Sequence, residues 1–206
     1  EDGKETLPGV TAVDLGLKYK PLPGMLVNLT GWYMHSSQEF VYVGDEAIVE
    51  PSGRSRRFGI DVGLRYNFLR DFYFRTDYTW CHARSIDEPK GEDYIPLAPV
   101  HTLTAGLTWK KNGFNAGVNC RWLSDRPANE DYSLTAQGYF IVDLNASYTY
   151  RRVTFGAAID NLFDRKWREA QFATETMIPG DTEPVTDICF TPGTPFSLRG
   201  FVSFRF

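Results

Sequence analysis

The side chains that could do catalytic or metal chemistry are few and widely spaced in this sequence of 206 residues. The histidines are His35, His82 and His101, and none forms a legible Ser-His-acid arrangement. The cysteines match neither a zinc-ligand spacing nor a disulfide framework, so we interpret them as incidental. They are Cys81, Cys120 and Cys189. The sequence therefore predicts that the protein is not an enzyme, and it indicates no catalytic residue, metal site or cofactor.

A second set of chemically capable side chains is acidic and lies in four long segments rich in Pro and Gly. These segments span 36–53, 85–100, 124–138 and 168–195, and their composition is typical of surface loops. Among the acids that they carry are Glu39, Asp45, Glu46, Glu50, Asp87, Glu88, Glu92, Asp93, Glu130, Asp131, Glu169, Glu175, Asp181, Glu183 and Asp187. They could attract a cationic or metal-bearing ligand, or they could simply be solvated. The residues that bind a ligand stay unassigned.

The bulk charge argues against a nucleic-acid partner. The formal net charge is −4, and no basic stripe runs along the chain. No apolar run reaches the ~18 residues of a transmembrane helix. A membrane is still possible, because spanning β-strands place apolar side chains only at every second position.

Alternation of apolar and polar residues is the dominant pattern in the chain. It predicts nine strands, over 11–20, 25–33, 58–67, 72–80, 103–109, 114–122, 140–150, 153–160 and 196–206, and no helix. The connections alternate too: PLPG, FLRD, KKNG and YRRV are tight, whereas the others are the four long segments. This order predicts an antiparallel up-and-down meander with short turns at one end and long loops at the other.

Two environments could cover the apolar faces: a second protein layer, as in a soluble sandwich or calyx, or lipid. The position of the aromatic residues favours lipid. Aromatic residues occupy the apolar set of alternating positions near both ends of the strands. Examples are Tyr66 and Trp109 beside the tight turns, and Trp80 and Trp122 at the opposite ends. Two such belts are typical of two lipid–water interfaces. We therefore expect Leu107, Val142 and Phe204 to face lipid, while charged residues on the other parity line a wet lumen.

The odd number of strands predicts a larger assembly. Single-chain bacterial barrels use an even number, and an open sheet edge in lipid leaves backbone groups unsatisfied. We therefore expect residues 1–206 to be the C-terminal part of a larger barrel. The earlier strands of that barrel would lie outside this sequence. Assembly with other chains is the alternative.

Three motifs resemble those of TonB-dependent outer-membrane receptors. FGAAIDNLFDRKW (155–167) resembles the penultimate-strand motif, and TPGTPFSLRGFVSFRF (191–206) resembles the closing strand. YIPLAPVHTLTAGLTW (94–109) is similar to a Pro-X-X-Pro-X-His segment of these barrels. The resemblance implies an all-β transmembrane barrel of 22 strands, of which this chain would supply the last nine, strands fourteen to twenty-two. The plug domain and the coupling box of the family are absent from the sequence.

The function implied by this resemblance is TonB-energised uptake of a scarce nutrient, such as a ferric siderophore, across the cell outer membrane. The implied partners are outer-membrane lipid and lipopolysaccharide, the TonB complex through the absent N-terminal region, and a small-molecule ligand at the long loops. The loop acids could also bind the divalent ions of a lipopolysaccharide surface. A porin-like passive channel, or another barrel protein, is the alternative.

Overall fold

The computed structural model describes residues 8–43, 48–177 and 183–206, and within them the chain forms strands and no helix. No helix there is long and apolar enough to cross a membrane. Fifteen strands follow in chain order. They are β1 (Val10–Tyr19), β2 (Met25–Ser36), β3 (Glu39–Val43), β4 (Ile48–Ser52), β5 (Ser55–Phe68), β6 (Phe72–Ser85), β7 (His101–Lys111), β8 (Phe114–Leu123), β9 (Arg126–Pro127), β10 (Thr135–Ala136), β11 (Tyr139–Tyr150), β12 (Val153–Asp160), β13 (Arg168–Thr176), β14 (Val185–Pro192) and β15 (Ser197–Phe204).

Nine of these strands form one antiparallel sheet in the order β1-β2-β5-β6-β7-β8-β11-β12-β15. They correspond one to one to the nine strands predicted from the sequence, and each pairs with the next along the chain. The all-β, antiparallel meander is therefore confirmed. The predicted boundaries need correction: β5 begins three residues earlier than expected, at Ser55, and β15 ends at Phe204, so Phe206 lies beyond the closing strand.

The tight connections are hairpin turns with the backbone that such turns require. In the turn between β7 and β8, Asn112 and Gly113 have φ angles of 48° and 85°. Positive φ at both central residues matches the twist of the flanking strands, and Asn-Gly adopts it at low cost. This end of the sheet is called the tight-turn end below, and the opposite end is called the loop end.

The register places every predicted apolar position on one face. Residues paired directly across antiparallel strands share a face, and Leu29, Val62 and Tyr78 form one such row across β2, β5 and β6. The same parity holds through all eight ladders of the sheet. This side is called the apolar face, and the other side is called the polar face.

The apolar face is largely uncovered within the chain. Leu15 is 83% exposed and Phe204 is 65% exposed, and Leu107 is half-buried. Val142 is the exception to our expectation for these positions, since only 8% of it is exposed. The turn after β12 lies next to Val142: the Leu162 amide donates a hydrogen bond to the Val142 carbonyl at 2.7 Å. A large exposed apolar sheet face requires an apolar surrounding.

Three further hairpins stand at the loop end, where the sequence predicted loops alone. They pair β3 with β4, β9 with β10 and β13 with β14. The last two are joined by Gln171, which is 1% exposed: its side chain accepts from the Gln137 amide at 2.9 Å and donates to the Gln137 carbonyl at 2.8 Å. The loop end is therefore an organised layer over the sheet.

Two of the sequence motifs meet in a clasp built on Asn161. This residue is 2% exposed and has a φ angle of 51°. Its side-chain amide donates to the carbonyls of Arg165 (2.9 Å) and Thr194 (3.0 Å), and its oxygen accepts from the Arg165 amide (2.9 Å). Trp167 Nε1 also donates to Thr194, at 3.0 Å. The clasp fixes the start of β15 against the end of β12.

Candidate functional site

The polar face carries crossed charge pairs, as its composition predicted. Arg65 pairs with Asp77 at 2.7 Å, and Arg121 approaches Asp143 at 3.7 Å. Further along the sheet Arg199 pairs with Asp160 at 3.0 Å. All six side chains retain solvent access, so each pair contributes little to stability on its own. The face is suited to a wet, polar lumen.

An acidic cavity of about 570 Å³ opens at the loop end. Its acidic lining residues come from β3 and from the loops after β6 and β9. They are Glu39, Glu88, Glu92, Glu130 and Asp131. Of these only Glu39 has an ion-pair partner within the described ranges, namely Arg57, at 2.6 Å. The cavity is therefore left with uncompensated negative charge.

Asp131 is held in its ionised form by its surroundings. The Ser133 amide donates to Asp131 Oδ1 at 2.9 Å, and the Ser133 hydroxyl donates to the same oxygen at 2.8 Å. These hydrogen bonds hold the pKa of the carboxyl below its usual range, the backbone bond most strongly. The cavity keeps this charge at neutral pH.

The other loop acids that the structure describes do not line this cavity, and two of them are paired with arginines. Arg54 binds Asp87 through its side chain at 2.6 Å and its backbone amide at 2.6 Å, and these bonds lower the pKa of Asp87. Arg84 approaches Asp93 at 3.6 Å. Asp45, Glu46 and Asp181 lie outside the described residues, as does the side chain of Glu50. Glu169, Glu175, Glu183 and Asp187 belong to the β13–β14 hairpin and its connection, apart from the cavity.

The structure also brings together cations that the sequence analysis overlooked. Arg165, Lys166 and Arg168 follow the Asn161 turn and line a second cavity, of about 660 Å³, together with Phe190. The signal was present in the motif FDRKWR (163–168).

A buried guanidinium stands out in the β9–β10 hairpin. Arg126 is 7% exposed, its Nη1 has no hydrogen-bond partner, and it makes no ion pair with any residue of the described ranges. Burial lowers the pKa of this guanidinium, which nevertheless stays charged because the ordinary value is so high. An unpaired buried charge costs stability.

We therefore expect Arg126→Met to raise the free energy of unfolding by about 1 kcal/mol or more. Methionine keeps most of the packed aliphatic stem and removes a buried charge that forms no ion pair and that the adjacent Asp125 offsets only in part. Guanidinium titration of the complete protein in detergent measures the change. The exposed Arg70→Met, at the tight-turn end, should stay within about 0.5 kcal/mol of the parent. A clear loss of stability in Arg126→Met would show that the charge has a partner.

The histidines and cysteines do not assemble into a reactive site. His101 Nδ1 lies 2.8 Å from the Tyr78 hydroxyl, and its ring stacks on Trp122 at 6.0 Å between centroids, among the aromatics of the apolar face. The cysteines are all free. Within the described part of the chain no group of three or more His, Cys, Asp and Glu side chains could hold a metal ion.

Comparison with known proteins places the sheet in a family. Residues 10–162 match the family model described as TonB dependent receptor-like, beta-barrel, which is well over half of the chain.

Solved structures agree on the fold at low sequence identity. The chain aligns with "Copper transporter OprC" at a TM-score of 0.73 and 19% identity, covering 99% of this chain and 33% of that one. Against the ferric citrate transporter FecA in its unliganded form the TM-score is 0.73 at 16% identity, with coverages of 96% and 31%. Against the ferric yersiniabactin uptake receptor FyuA from Yersinia pestis it is 0.71 at 12%, with coverages of 97% and 30%. The chain thus spans about a third of the length of these structures.

Proposed function

Since this chain belongs to the TonB-dependent receptor β-barrel family, we propose that it forms part of a receptor for TonB-energised uptake of a scarce nutrient across the outer membrane. The family is one of transporters and receptors located in the outer membrane, not of enzymes. The observation that carries the proposal is the combination of an uncovered apolar face with a charged polar face beneath an organised loop layer. Lipid would cover the first, and the second would line the path of the ligand.

The size of the complete barrel is part of the proposal. Within the described ranges β1 pairs only with β2, and β15 pairs only with β12, so both edges of the sheet are open. Open edges in hydrocarbon are costly because backbone groups remain unsatisfied. Thirteen further strands between them would give a barrel of 22 strands, with residues 1–206 as its C-terminal portion. The coverage of about a third of each solved structure supports this arrangement.

The partners follow from the two ends of the sheet. A small-molecule ligand would meet the loop end, where the two cavities lie, and lipopolysaccharide would surround the same end. The TonB complex would act from the tight-turn end, through a region outside this chain. A ferric siderophore is the ligand class we propose first, because two of the solved structures compared above are named for ferric ligands. A porin-like passive channel lacks support from the family match.

Uptake by intact cells tests the proposal. The complete gene product is expressed in a host deleted for its own ferric siderophore receptors, and accumulation of ⁵⁵Fe from a panel of ferric siderophores is measured. We expect accumulation that requires both the protein and an intact TonB system. Accumulation that persists in a TonB-deficient host would indicate a passive channel. No accumulation with any member of the panel would overturn the siderophore assignment.

A further inference from the structure

The second cavity at the loop end differs in charge from the rest of that layer. The cavity is lined by three cations, Arg165, Lys166 and Arg168, and by only one carboxylate, Asp164. Asp164 Oδ1 accepts from the Phe196 amide at 3.0 Å. None of the three cations forms an ion pair with any residue of 8–43, 48–177 and 183–206. The cavity is therefore cationic, in contrast to the acidic cavity near β9.

The frame around these cations is ordered. The indole of Trp167 is tied to Thr194 and packs on the Tyr139 ring at 4.7 Å between centroids. The Gly193 amide donates to the Trp167 carbonyl at 2.8 Å. A side chain at position 193 would collide with that indole, so the close approach requires glycine. The segment that carries the cations is held at both sides and needs little reorganisation to bind.

The geometry of Arg168 leaves its donors available. Its guanidinium carbon lies 4.1 Å from the centroid of the Phe190 ring. A guanidinium that stacks through its face keeps its N–H groups in the plane, where a carboxylate can be bound through two parallel hydrogen bonds. The aromatic ring thus orients the cation without neutralising it.

A further positive charge lies nearby in the fold. Arg126, the buried guanidinium without an ion pair, is the register partner of Ala136, the residue before Gln137. Gln137 itself lines the cationic cavity. A charge in a protein interior is screened less than a charge in water, so Arg126 adds to the positive potential on this side of the loop layer, although the adjacent Asp125 offsets part of its charge.

We propose that the cationic cavity binds the clustered carboxylates of an anionic small molecule. The inference rests on the proposed function in naming the class of ligand that the receptor captures. The cavity supplies three cations and an apolar wall, whereas the acidic cavity near β9 would repel such a ligand. The two cavities together would orient it, with its anionic groups toward β12 and β14.

Propane-1,2,3-tricarboxylate is the probe, with its uncharged trimethyl ester for comparison. Binding to the complete protein in detergent is measured by isothermal titration calorimetry at low and at high salt. We expect the tricarboxylate to bind far more tightly than the ester. Its affinity should fall as the salt concentration rises. Equal binding of the ester, or no binding of the tricarboxylate, would overturn the proposal.

Paired variants locate the site. In Arg165→Gln/Lys166→Gln two charges are lost from side chains that make no hydrogen bond or ion pair in the structure, so folding should be unaffected. We expect a loss of affinity of about tenfold or more. The control Arg70→Gln/Arg152→Gln removes the same charge at the tight-turn end and should bind like the parent. Equal affinities of both double variants would place the anion elsewhere.

Arg168→Lys tests the planar guanidinium of Arg168, because lysine keeps the charge and loses the two parallel donors. We expect weaker binding of the tricarboxylate, and unchanged binding would refute the bidentate contact.

The outcome is separable from the ⁵⁵Fe experiment. Tricarboxylate binding without energised uptake would overturn the proposed function alone, and uptake without tricarboxylate binding would overturn this inference alone.

Discussion

Leu144→Arg is expected to destabilise the folded barrel by about 2–4 kcal/mol. Leu144 stands mid-strand in β11, in a row with Val118 and Ile159 on the apolar face. In a bilayer the new guanidinium would lie within hydrocarbon, far from either belt of aromatic residues. The measurement is a guanidinium titration of the complete protein reconstituted in lipid vesicles, followed by tryptophan fluorescence.

The matched control is the next residue along the strand. Asn145 lies on the polar face, opposite Gly117 and Ala158, and its side chain is exposed. Asn145→Arg introduces the same group into a wet surrounding, so the loss should be well below that of Leu144→Arg. Equal losses for the two variants would mean that the two faces of β11 do not differ in environment, and the lipid-facing assignment would fail.

The faces of the sheet could be predicted from sequence because a strand has a period of two. In β2 and β5 the positions assigned to the apolar face all lie on one face, because a face in contact with lipid tolerates few polar exceptions. The three small hairpins were not predicted, because their strands lack this alternation of apolar and polar residues. The β13–β14 hairpin lies at the loop end, where neither face must be uniformly apolar, and its strands carry mixed side chains such as Gln171 and Phe190.

The residues that line the two cavities were harder to predict from the sequence than the strands. The acids Glu88, Glu92 and Glu130 belong to two different loops, and only the folded layer brings them to one cavity. Arg126 could not be recognised as buried, because its burial depends on the folded loop layer rather than on its own neighbours in sequence. The cations of 163–168 were visible in the sequence, but a charge run reveals neither its counter-ions nor the lack of them.

The clasp links two motifs that the sequence presents about thirty residues apart, and it predicts a large effect for Asn161. Asn161→Ala removes three hydrogen bonds, each contributing about 0.5–1.5 kcal/mol. Alanine must also adopt a φ angle of 51°, which costs an L-residue without a short polar side chain roughly 1–2 kcal/mol. We expect a total loss of about 2.5–6.5 kcal/mol in guanidinium titration of the complete protein.

Two variants make this prediction specific to the clasp. Asn161→Gly loses the same three hydrogen bonds but adopts the φ angle of 51° without steric cost, so its stability should fall between those of the parent and Asn161→Ala. Asn119→Ala removes only one long contact, from Arg75 at 3.3 Å on the polar face, and should cost less than about 1 kcal/mol. If Asn161→Ala cost no more than Asn119→Ala, the hydrogen bonds of Asn161 would not be what holds the start of β15 against the end of β12.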